Sequence, residues 1–569
     1  MAGTTRREFL GVTGGVLAGT LASCGTVGAA VARRSARQQP NVIIIMSDDH
    51  GYGELSCLGN PHLKTPNLDR LHGESTRLTN YHHSPVCTPT RASLMTGRYN
   101  YRTCAIDTYR GRAMMHPDEV TIAELFSEAG YKTGIFGKWH LGDCYPMRAC
   151  DKGFQESVVH FGGGLGQPSD RPESGGYFNP VLVKDGVLQP FEGYCTDIFA
   201  SEAIGFMERH KDRPFFLYLP TNAPHSPLIV DEKYAQPYLD MGLDPRVAKL
   251  YGMIVNLDEN VGRVMDATDR LGLRENTIFI FTTDNGAQGM PDAPRFNAGM
   301  RGHKGTVYQG GLRVPFLARW PGKFAAGTDC DTLSAHIDMA PTLLGLCGIS
   351  PARRPDFDGV SLQRTLLEPG SPANLPDRNL YFQWHRGDSP EPYNNACVRN
   401  ARYKLVNGVE LYDLESDSAE ERDVSRENPE IVAQLRLDYE AWFADVSATR
   451  GYEPPAIIIG NTSANPVYLT LQDMRGGEAA GYGAGGFWKT HVEVDGVYDI
   501  RLRFTPEVKG GTAYFQLGGH KAESVIPDGA SEVMIKGVRL YKGPGSVRAW
   551  ANKPEPANAA RFVDISFGG

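Results

Sequence analysis

The sequence predicts an α/β protein with a mostly parallel central sheet flanked by helices. A smaller antiparallel sheet-plus-helix subdomain follows, and then a C-terminal β-sandwich. Three observations carry this prediction. First, the apolar runs NVIIIMSDD, TGIFGKWH, PFFLYLPTNAPH and NTIFIFTTDNG each end in polar residues, with helix-like stretches between them. Strands alternating with helices give a parallel sheet covered on both faces. Second, from about Asp377 the runs LYFQW, CVRN and KLV-NG-VELYDL read as antiparallel strands. Third, beyond about Tyr452 no helical period survives, and short strand-like runs recur between Gly and Pro turns.

Taken in order, the chain opens with a segment that does not read as part of the fold. Arg6-Arg7, Phe9-Leu10 and a Gly-rich, weakly apolar run have the pattern of a twin-arginine export signal. Leu21-Ala22-Ser23-Cys24 resembles a lipoprotein processing box with Cys24 as the lipidated residue, and cleavage after Ala30-Val31-Ala32 competes with it. Residues 1–39 are therefore expected to be signal and linker, and the protein to be extracytoplasmic, in the periplasm or at the cell surface. No later run is long and apolar enough to span a membrane.

Residues 40–375 hold the strand–helix alternation. Thr65-Pro66 starts one helix, with a cap and a first-turn proline. TIAELFSEAG has Thr121 and Glu124 as a capping box and Gly130 as its stop. Residues 376–450 form the expected subdomain. Asn407-Gly408 makes a hairpin, and Asn428-Pro429 opens a helix carrying Ile431, Leu435 and Tyr439 on one face. Residues 451–569 form the expected separate sandwich. There Ile500, Leu502 and Phe504 alternate with Arg501 and Arg503.

The length of 569 residues suffices for two or three domains. The net charge of −8 excludes a globally basic surface for nucleic acid. An anionic substrate would need a local positive site. Of ten cysteines, Cys24 belongs to processing. The other nine show no disulfide framework and no C-x-x-C zinc pattern.

In a parallel sheet, ligands bind beyond the carboxyl ends of the strands. Asp48-Asp49 and Asp284-Asn285 each follow an apolar strand there. Two such oxygen-bearing pairs suit one hard cation, Ca²⁺ or Mg²⁺, better than zinc; a single pair would read as ordinary loop-start residues. Lys138 and His140, two apart after a strand, would point the same way on an extended backbone. His225 follows another strand, Lys304 lies in a Gly-rich loop, and Arg91 stands one helical turn after Cys87. Each alone reads as a solvated charge or a satisfied loop histidine. Together they are a set able to hold a tetrahedral oxyanion beside a metal. Cys87 itself, in SPVCTPTRASLMTG, reads as a disulfide half, a small core residue, a thiolate favoured by a helix start, or a precursor of another group.

CTPTRASLMTG resembles the C-x-P-x-R signature of the formylglycine-dependent sulfatases, within the alkaline phosphatase superfamily. SDDHGYGE, GKWHLG, PHSP, TDNG and GHKGTVYQGGLRVP resemble that family's other motifs, in its order, over about Asn41 to Val446. The resemblance implies an alkaline phosphatase-like fold and a sulfuric ester hydrolase. It implies one calcium ion bound by Asp48, Asp49, Asp284 and Asn285, with Cys87 at the metal. A formylglycine-generating enzyme would oxidise Cys87 to formylglycine, whose hydrate is the nucleophile, oriented with the help of Arg91. Lys138 and Lys304 would bind sulfate oxygens. His225 would protonate the leaving alcohol, and His140 would take the proton from the second hydroxyl as sulfate is expelled.

Three positions depart from the family pattern. Thr90 stands where Ser or Ala is commoner, and should be tolerated. His50 is expected either to line the pocket or to sit on a surface loop. Gln309 stands where Glu is frequent, removing a charge near the site. The segment from Gly162 to Tyr177 reads as a variable loop facing substrate. The expected substrate is a sulfated sugar or polysaccharide. A small aryl sulfate is one alternative. A phosphonate monoester or phosphodiester is another, although Asp284-Asn285 replaces the Asp-His pair those relatives favour. A non-catalytic glycan-binding lipoprotein is the last, with Trp488 and Trp550 as stacking platforms unless they are core.

Overall fold

The strand runs of the first half assemble into one ten-stranded sheet. In a computed structural model, residues 39–290, 292–293, 295–353, 355–370, 375, 377–476, 486–504, 508–553 and 558–568 are described. The expected export signal and Cys24 lie outside them. In chain order the sheet holds β1 (Asn41–Ser47), β2 (Thr76–Leu78), β3 (Lys132–Lys138), β4 (Glu156–His160), β5 (Val181–Lys184), β6 (Val187–Pro190), β7 (Phe215–Pro220), β8 (Thr277–Thr283), β9 (Phe316–Arg319) and β10 (Thr328–Cys330). Their spatial order is β10-β2-β9-β8-β1-β7-β3-β4-β5-β6.

The centre, β8-β1-β7-β3-β4, is wholly parallel. β9 joins antiparallel on one side, and the hairpin β5–β6 on the other. That hairpin is an addition to the predicted sheet. β1 shows why the centre reads as a continuous apolar run. Val42, Ile44 and Met46 enter the core on one face, and Ile43 and Ile45 the core on the other.

The helices follow local signals, with one exception. α1 (Pro66–Glu74) starts at its proline, but the Thr65 side chain makes no cap bond. Its hydroxyl is drawn instead to Ser56 Oγ and Asp69 Oδ1, at 2.8 and 3.2 Å. α2 (Cys87–Thr96) is buried at every residue, so it is a core element carrying the predicted signature. α3 (Ile122–Glu128) has the Thr121–Glu124 capping box, with Gly130 in the left-handed region at φ 89°.

The subdomain is a four-stranded antiparallel sheet, β11 (Leu380–Gln383), β12 (Ala396–Arg399), β13 (Tyr403–Val406) and β14 (Glu410–Asp413), in that order. Asn407 and Gly408 turn β13 into β14 with φ of 50° and 70°, the paired positive values of a type I′ turn. α4 (Pro429–Ala448) buries Leu435 and Tyr439.

The tail forms a sandwich of a five-stranded and a four-stranded sheet. Its strands are β15 (Ile457–Ile459), β16 (Val467–Leu469), β17 (Trp488–Val492), β18 (Gly496–Arg503), β19 (Lys509–Leu517), β20 (His520–Asp528), β21 (Glu532–Leu540), β22 (Gly543–Ala551) and β23 (Phe562–Phe567). Ile500, Leu502 and Phe504 are buried as their alternation requires. β15, β17 and β20 are additional to the strand-like runs read from the sequence; β20, a largely exposed edge strand, carries little apolar signal. Trp488 is fully buried, and its indole N–H donates to the Thr470 carbonyl at 2.7 Å, so it is core. Trp550 stacks on Tyr514 at 5.5 Å.

The sandwich is not a tethered appendage. Its apolar core is continuous with Met114, Cys144 and Met147, and Pro40–Gly569 form one compact unit. All nine described cysteines are free thiols. No described helix is long and apolar enough to cross a membrane.

Candidate active site

Four polar loops leave the parallel strands at their carboxyl ends and meet. β1 runs out into Asp48 and Asp49, β8 into Asp284 and Asn285, β3 into Lys138 and His140, and β7 into the loop bearing His225. The Asp48 N–H donates to the Ala223 carbonyl at 3.0 Å, and the Asp284 N–H to the Ser47 carbonyl at 3.1 Å, which ties the loops together. Asp49 and His140 take positive φ, 61° and 59°, a conformation costly for residues other than glycine. The kink at His140 ends the extended strand. Contrary to the alternation argument, Lys138 and His140 go to different partners.

The acidic residues are fully enclosed and ion-paired. Lys138 Nζ lies 2.6 Å from Asp48 Oδ2, Lys304 Nζ 2.7 Å from Asp49 Oδ1, and an Arg91 amino group 2.8 Å from Asp284 Oδ2. Arg91 also donates to the Lys138 carbonyl at 2.9 Å, so the helix residue expected to work beside Cys87 braces the loops from beneath. Asn285 Nδ2 donates to Asp49 Oδ1 at 2.8 Å. Burial and the neighbouring Asp48 carboxylate push Asp284 up to about 6. Burial also opposes charge on Asp49, but Lys304, His225 and Asn285 outweigh it and hold that carboxyl below its ordinary range.

These residues fit a hard cation. Asp48 Oδ1 and Asn285 Oδ1 are buried without a hydrogen-bond partner among the described residues. Such orphaned oxygens are costly unless a cation or water faces them. The set is all oxygen, as calcium prefers. Ligand atoms of Asp48, Asp49 and His225 lie within 4.8 Å of one another, which brings His225 to the metal residues.

Above this layer opens a cavity of about 470 Å³. Cys87, His140, His225 and Lys304 line it; Arg91 and Lys138 do not. Cys87 begins α2, yet burial pushes its thiol up rather than down. The expected thiolate-favouring helix start is thus overridden by desolvation. Cys87 Sγ lies 3.4 Å from His140 Nδ1. His140 Nε2 lies 2.8 Å from the Thr108 carbonyl, which can only accept. The proton is therefore on Nε2, and the Nδ1 lone pair faces Cys87. Burial, helped by Lys138, holds His140 well below its ordinary value and hence neutral. His225 Nδ1 donates to the Ser226 carbonyl at 2.7 Å, leaving Nε2 directed at Asp49 Oδ2, 3.6 Å away. Burial brings His225 down to about 3, against the pull of Asp49.

Several supporting residues carried no assigned role in the sequence. Arg295 donates to the Asp49 carbonyl at 2.7 Å and to Glu54 Oε1 at 2.6 Å, bracing the strained residue. Glu54 was visible in SDDHGYGE, but nothing there pointed to Arg295. Gln472, from the segment after β16, donates to the Thr108 carbonyl at 2.7 Å and lies 3.2 Å from His140 Nε2. No local signal marks it. Gly286 has no room for a side chain, since a Cβ would stand 1.8 Å from the Gly310 carbonyl oxygen.

The departures from the family pattern resolve differently. Thr90 is buried, and its hydroxyl donates to the Ser84 carbonyl at 3.2 Å. His50 neither lines the cavity nor lies at the surface. It is buried against Phe281 and bonded to Ser47 and Glu54. Gln309 Oε1 lies 3.1 Å from His82 Nε2, beside Arg399, so the charge it withholds concerns the subdomain contact rather than the metal residues. In the Gly162–Tyr177 loop, Gly163 and Gln167 line the cavity, whereas Arg171 turns away to pair with Asp564 at 2.8 Å.

Comparison with known proteins adds independent evidence. The family described as Sulfatase matches residues 40–349, and the family N-sulphoglucosamine sulphohydrolase, C-terminal, matches residues 302–441. Human N-acetylgalactosamine-6-sulfatase is 33% identical over 382 residues, covering 62% of this chain and 70% of its own. Human arylsulfatase A is 31% identical over 529 residues, covering 77% and 95%. Among solved structures, Ps i-CgsB in complex with k-i-k-neocarrahexaose superposes with a TM-score of 0.65 at 28% identity, covering 73% of this chain and 95% of that one. With this match over more than half its length, the chain belongs to the sulfatase family of the alkaline phosphatase superfamily.

Proposed function

We propose that this sulfuric ester hydrolase acts on sulfate monoesters of sulfated sugars or polysaccharides, through formylglycine made from Cys87 by a formylglycine-generating enzyme. One observation carries the reading. Cys87, His140, His225 and Lys304 share one cavity directly above a buried layer of paired charges. The names of the relatives support a sugar substrate, since one is an N-acetylgalactosamine-6-sulfatase and another structure holds a neocarrahexaose.

Asp48, Asp49, Asp284 and Asn285 would hold calcium, which supplies positive charge beside the reacting oxygens. Formylglycine at position 87, as its hydrate, supplies an oxygen nucleophile with a second hydroxyl beside it. The remaining work falls to the chain. Asp48, Asp49 and Asp284 are matched by Arg91, Lys138 and Lys304, so the protein's own inner layer is close to neutral. A bound divalent cation would then leave room for an anionic ester and an anionic nucleophile. Lys304, on the cavity wall, holds sulfate oxygens and stabilises charge developing on them. Lys138 and Arg91 act from beneath, pairing with Asp48 and Asp284 and holding them in place. His140 offers a neutral Nδ1 lone pair toward position 87 and accepts a proton there. Burial holds His225 neutral. The negative charge of a bound ester raises its proton affinity, which suits it to protonate the leaving sugar oxygen.

Arg6-Arg7 and the run after them support export by the twin-arginine route, with Cys24 as a lipid anchor or cleavage after Ala32. That route carries folded proteins, so position 87 can be modified first.

Mass spectrometry of the peptide spanning residue 87, with desulfation of a panel of defined sulfated sugars, tests this reading. The expected results are loss of sulfur from Cys87 and release of sulfate from at least one sugar. Calcium chelation should abolish turnover and lower the unfolding temperature. A retained thiol in fully active, natively produced protein would overturn the mechanism.

A further inference from the structure

A second cavity, of about 590 Å³, opens between the catalytic half and the four-stranded subdomain. Gln309 and Arg313, a few residues past Lys304, line it from one side, and Arg399, at the end of β12, lines it from the other. Gln309 and Arg399 are buried, and Arg313 is half-buried. None of the three lines the cavity around Cys87.

The two arginines bond to neutral groups only. Arg399 Nε donates to the Asn400 carbonyl at 3.2 Å, and Arg399 Nη1 lies 2.8 Å from His82 Nε2. Arg313 Nε donates to the Thr79 carbonyl at 2.9 Å, and its guanidinium covers the Tyr52 ring at 4.7 Å. Neither makes an ion pair with a carboxylate among the described residues. Glu420, whose charge reaches Arg399, is held by Lys404 Nζ at 2.5 Å and by the Gln309 N–H at 2.7 Å. The acidic residues of the cavity, Asp331 and Glu415, are exposed, and Glu415 lies 3.6 Å from Arg402. Burial pushes the Arg399 guanidinium down to about 10, with Arg313 adding to it against the pull of Glu420. A buried cation without a counter-charge is costly.

The hydrogen bonds on this wall are also one partner short. His82 Nε2 faces Arg399 Nη1, which can only donate, and Gln309 Oε1, 3.1 Å away, which can only accept. Burial, with Arg399 beside it, holds His82 well below its ordinary value and hence neutral. One ring nitrogen cannot accept from the first group and donate to the second. Turning the Gln309 amide round only sets a second donor against the same lone pair. An acceptor reaching Arg399 from the cavity resolves the conflict, because it takes the guanidinium donor and lets His82 Nε2 donate to Gln309.

We propose that Arg313 and Arg399 hold a small inorganic oxyanion, of the sulfate and phosphate class, which ties the four-stranded subdomain to the catalytic half. Guanidiniums present paired N–H donors that match the spacing of oxygens on such an anion. Gln309 sets the need for it, because a carboxylate of the same shape at that position would supply the negative charge from within the chain. The site stands apart from the reacting cavity, so its role is in stability and not in turnover.

The unfolding temperature of the full chain, dialysed free of oxyanions and then titrated with sodium sulfate, tests it. Wild type and Gln309→Glu are compared in the same salt, which cancels the general effect of sulfate and its binding beside Cys87. Wild type should gain at least about 2 °C more than Gln309→Glu on reaching about 50 mM sulfate. Without sulfate, Gln309→Glu should be the more stable of the two. Arg313→Gln, changed on the half-buried side, should lose the extra gain without the stability that Gln309→Glu acquires. Circular dichroism confirms that each variant folds, and either variant alone suffices for the comparison. Crystals soaked in selenate should show an anomalous peak between Arg313 and Arg399 that Gln309→Glu lacks. An equal gain in wild type and variant, or no peak, overturns the site. An equal extra gain from sodium chloride at matched ionic strength overturns its assignment to an oxyanion.

Discussion

The parallel sheet and the C-terminal sandwich each bury a large apolar core, but they place their buried charges differently. In the sheet, a cluster of charge gathers at the carboxyl end, where Asp48, Asp49, Asp284, Arg91 and Lys138 are enclosed with positive-φ backbone at Asp49 and His140, while a single buried arginine, Arg319, pairs with Glu74 at the other end. In the sandwich, the buried carboxyls Asp473 and Asp564 both face the catalytic half. Asp564 pairs with Arg171, and Asp473 accepts from the Asp143 N–H at 3.0 Å. The sandwich interior between its sheets is apolar. The difference teaches where function is built. Buried charge is concentrated where chemistry needs it, and the buried carboxyls of the sandwich lie along the edge that touches the catalytic half. That edge includes Gln472, which reaches His140.

The comparison is broken most sharply by exchanging what each region can lose. Cys87→Ala should lower turnover of nitrophenyl sulfate by at least about 10⁴-fold while leaving the unfolding temperature nearly unchanged. Trp488→Ala should do the reverse first, costing about 3–5 kcal/mol in denaturant unfolding, because it empties the sandwich core and frees the Thr470 carbonyl. If that variant folds yet keeps full activity, the sandwich edge does not help shape the site.

A smaller effect sharpens the boundary between the regions. Gln472→Ala should lower kcat about tenfold with KM changed less than about twofold, since Gln472 holds the Thr108 carbonyl that orients His140 and does not touch substrate. Gln472→Asn, too short to reach Thr108, should not restore it. A change in KM alone would assign Gln472 to binding instead.

The smallest effect lies in the junction itself. Burial pushes Asp143 up to about 6, and burial with Asp143 as neighbour raises Asp473 well above the usual carboxylate range. A carboxyl whose folded pKa is raised favours the folded state most when protonated. The contribution is therefore full below about 3.8 and is lost as pH rises through about 6. Wild-type stability, measured against Asp143→Asn, should fall by on the order of 1–2 kcal/mol between pH 4 and pH 7. A pH-independent difference would show that the pair does not titrate in this window.

Legibility of the site followed the distance its signals travel along the chain. Asp48-Asp49, Asp284-Asn285, Lys138 and His140 were readable because an apolar strand followed at once by polar residues puts them at a carboxyl end. The capping box at Thr121 and the turn at Asn407-Gly408 were readable for the same reason, since each depends on neighbours in sequence. Thr65 misled because a hydroxyl before a proline has other partners, and Ser56 and Asp69 won it. At Cys87 the helix start by itself would favour ionisation of the thiol, whereas burial pushes it the other way.

What the sequence determined by itself was therefore the alternation of strands, the switch to antiparallel pairing, and the order of the chemical motifs, all of which short-range patterns encode. Tertiary structure alone decided which lysine faces the cavity and which lies beneath it. It also brought Gln472 to His140 across 332 residues, and set Arg399 beside Gln309 and Arg313 around one cavity. Such meetings depend on how whole layers pack, and packing leaves no periodic trace at the residues it brings together.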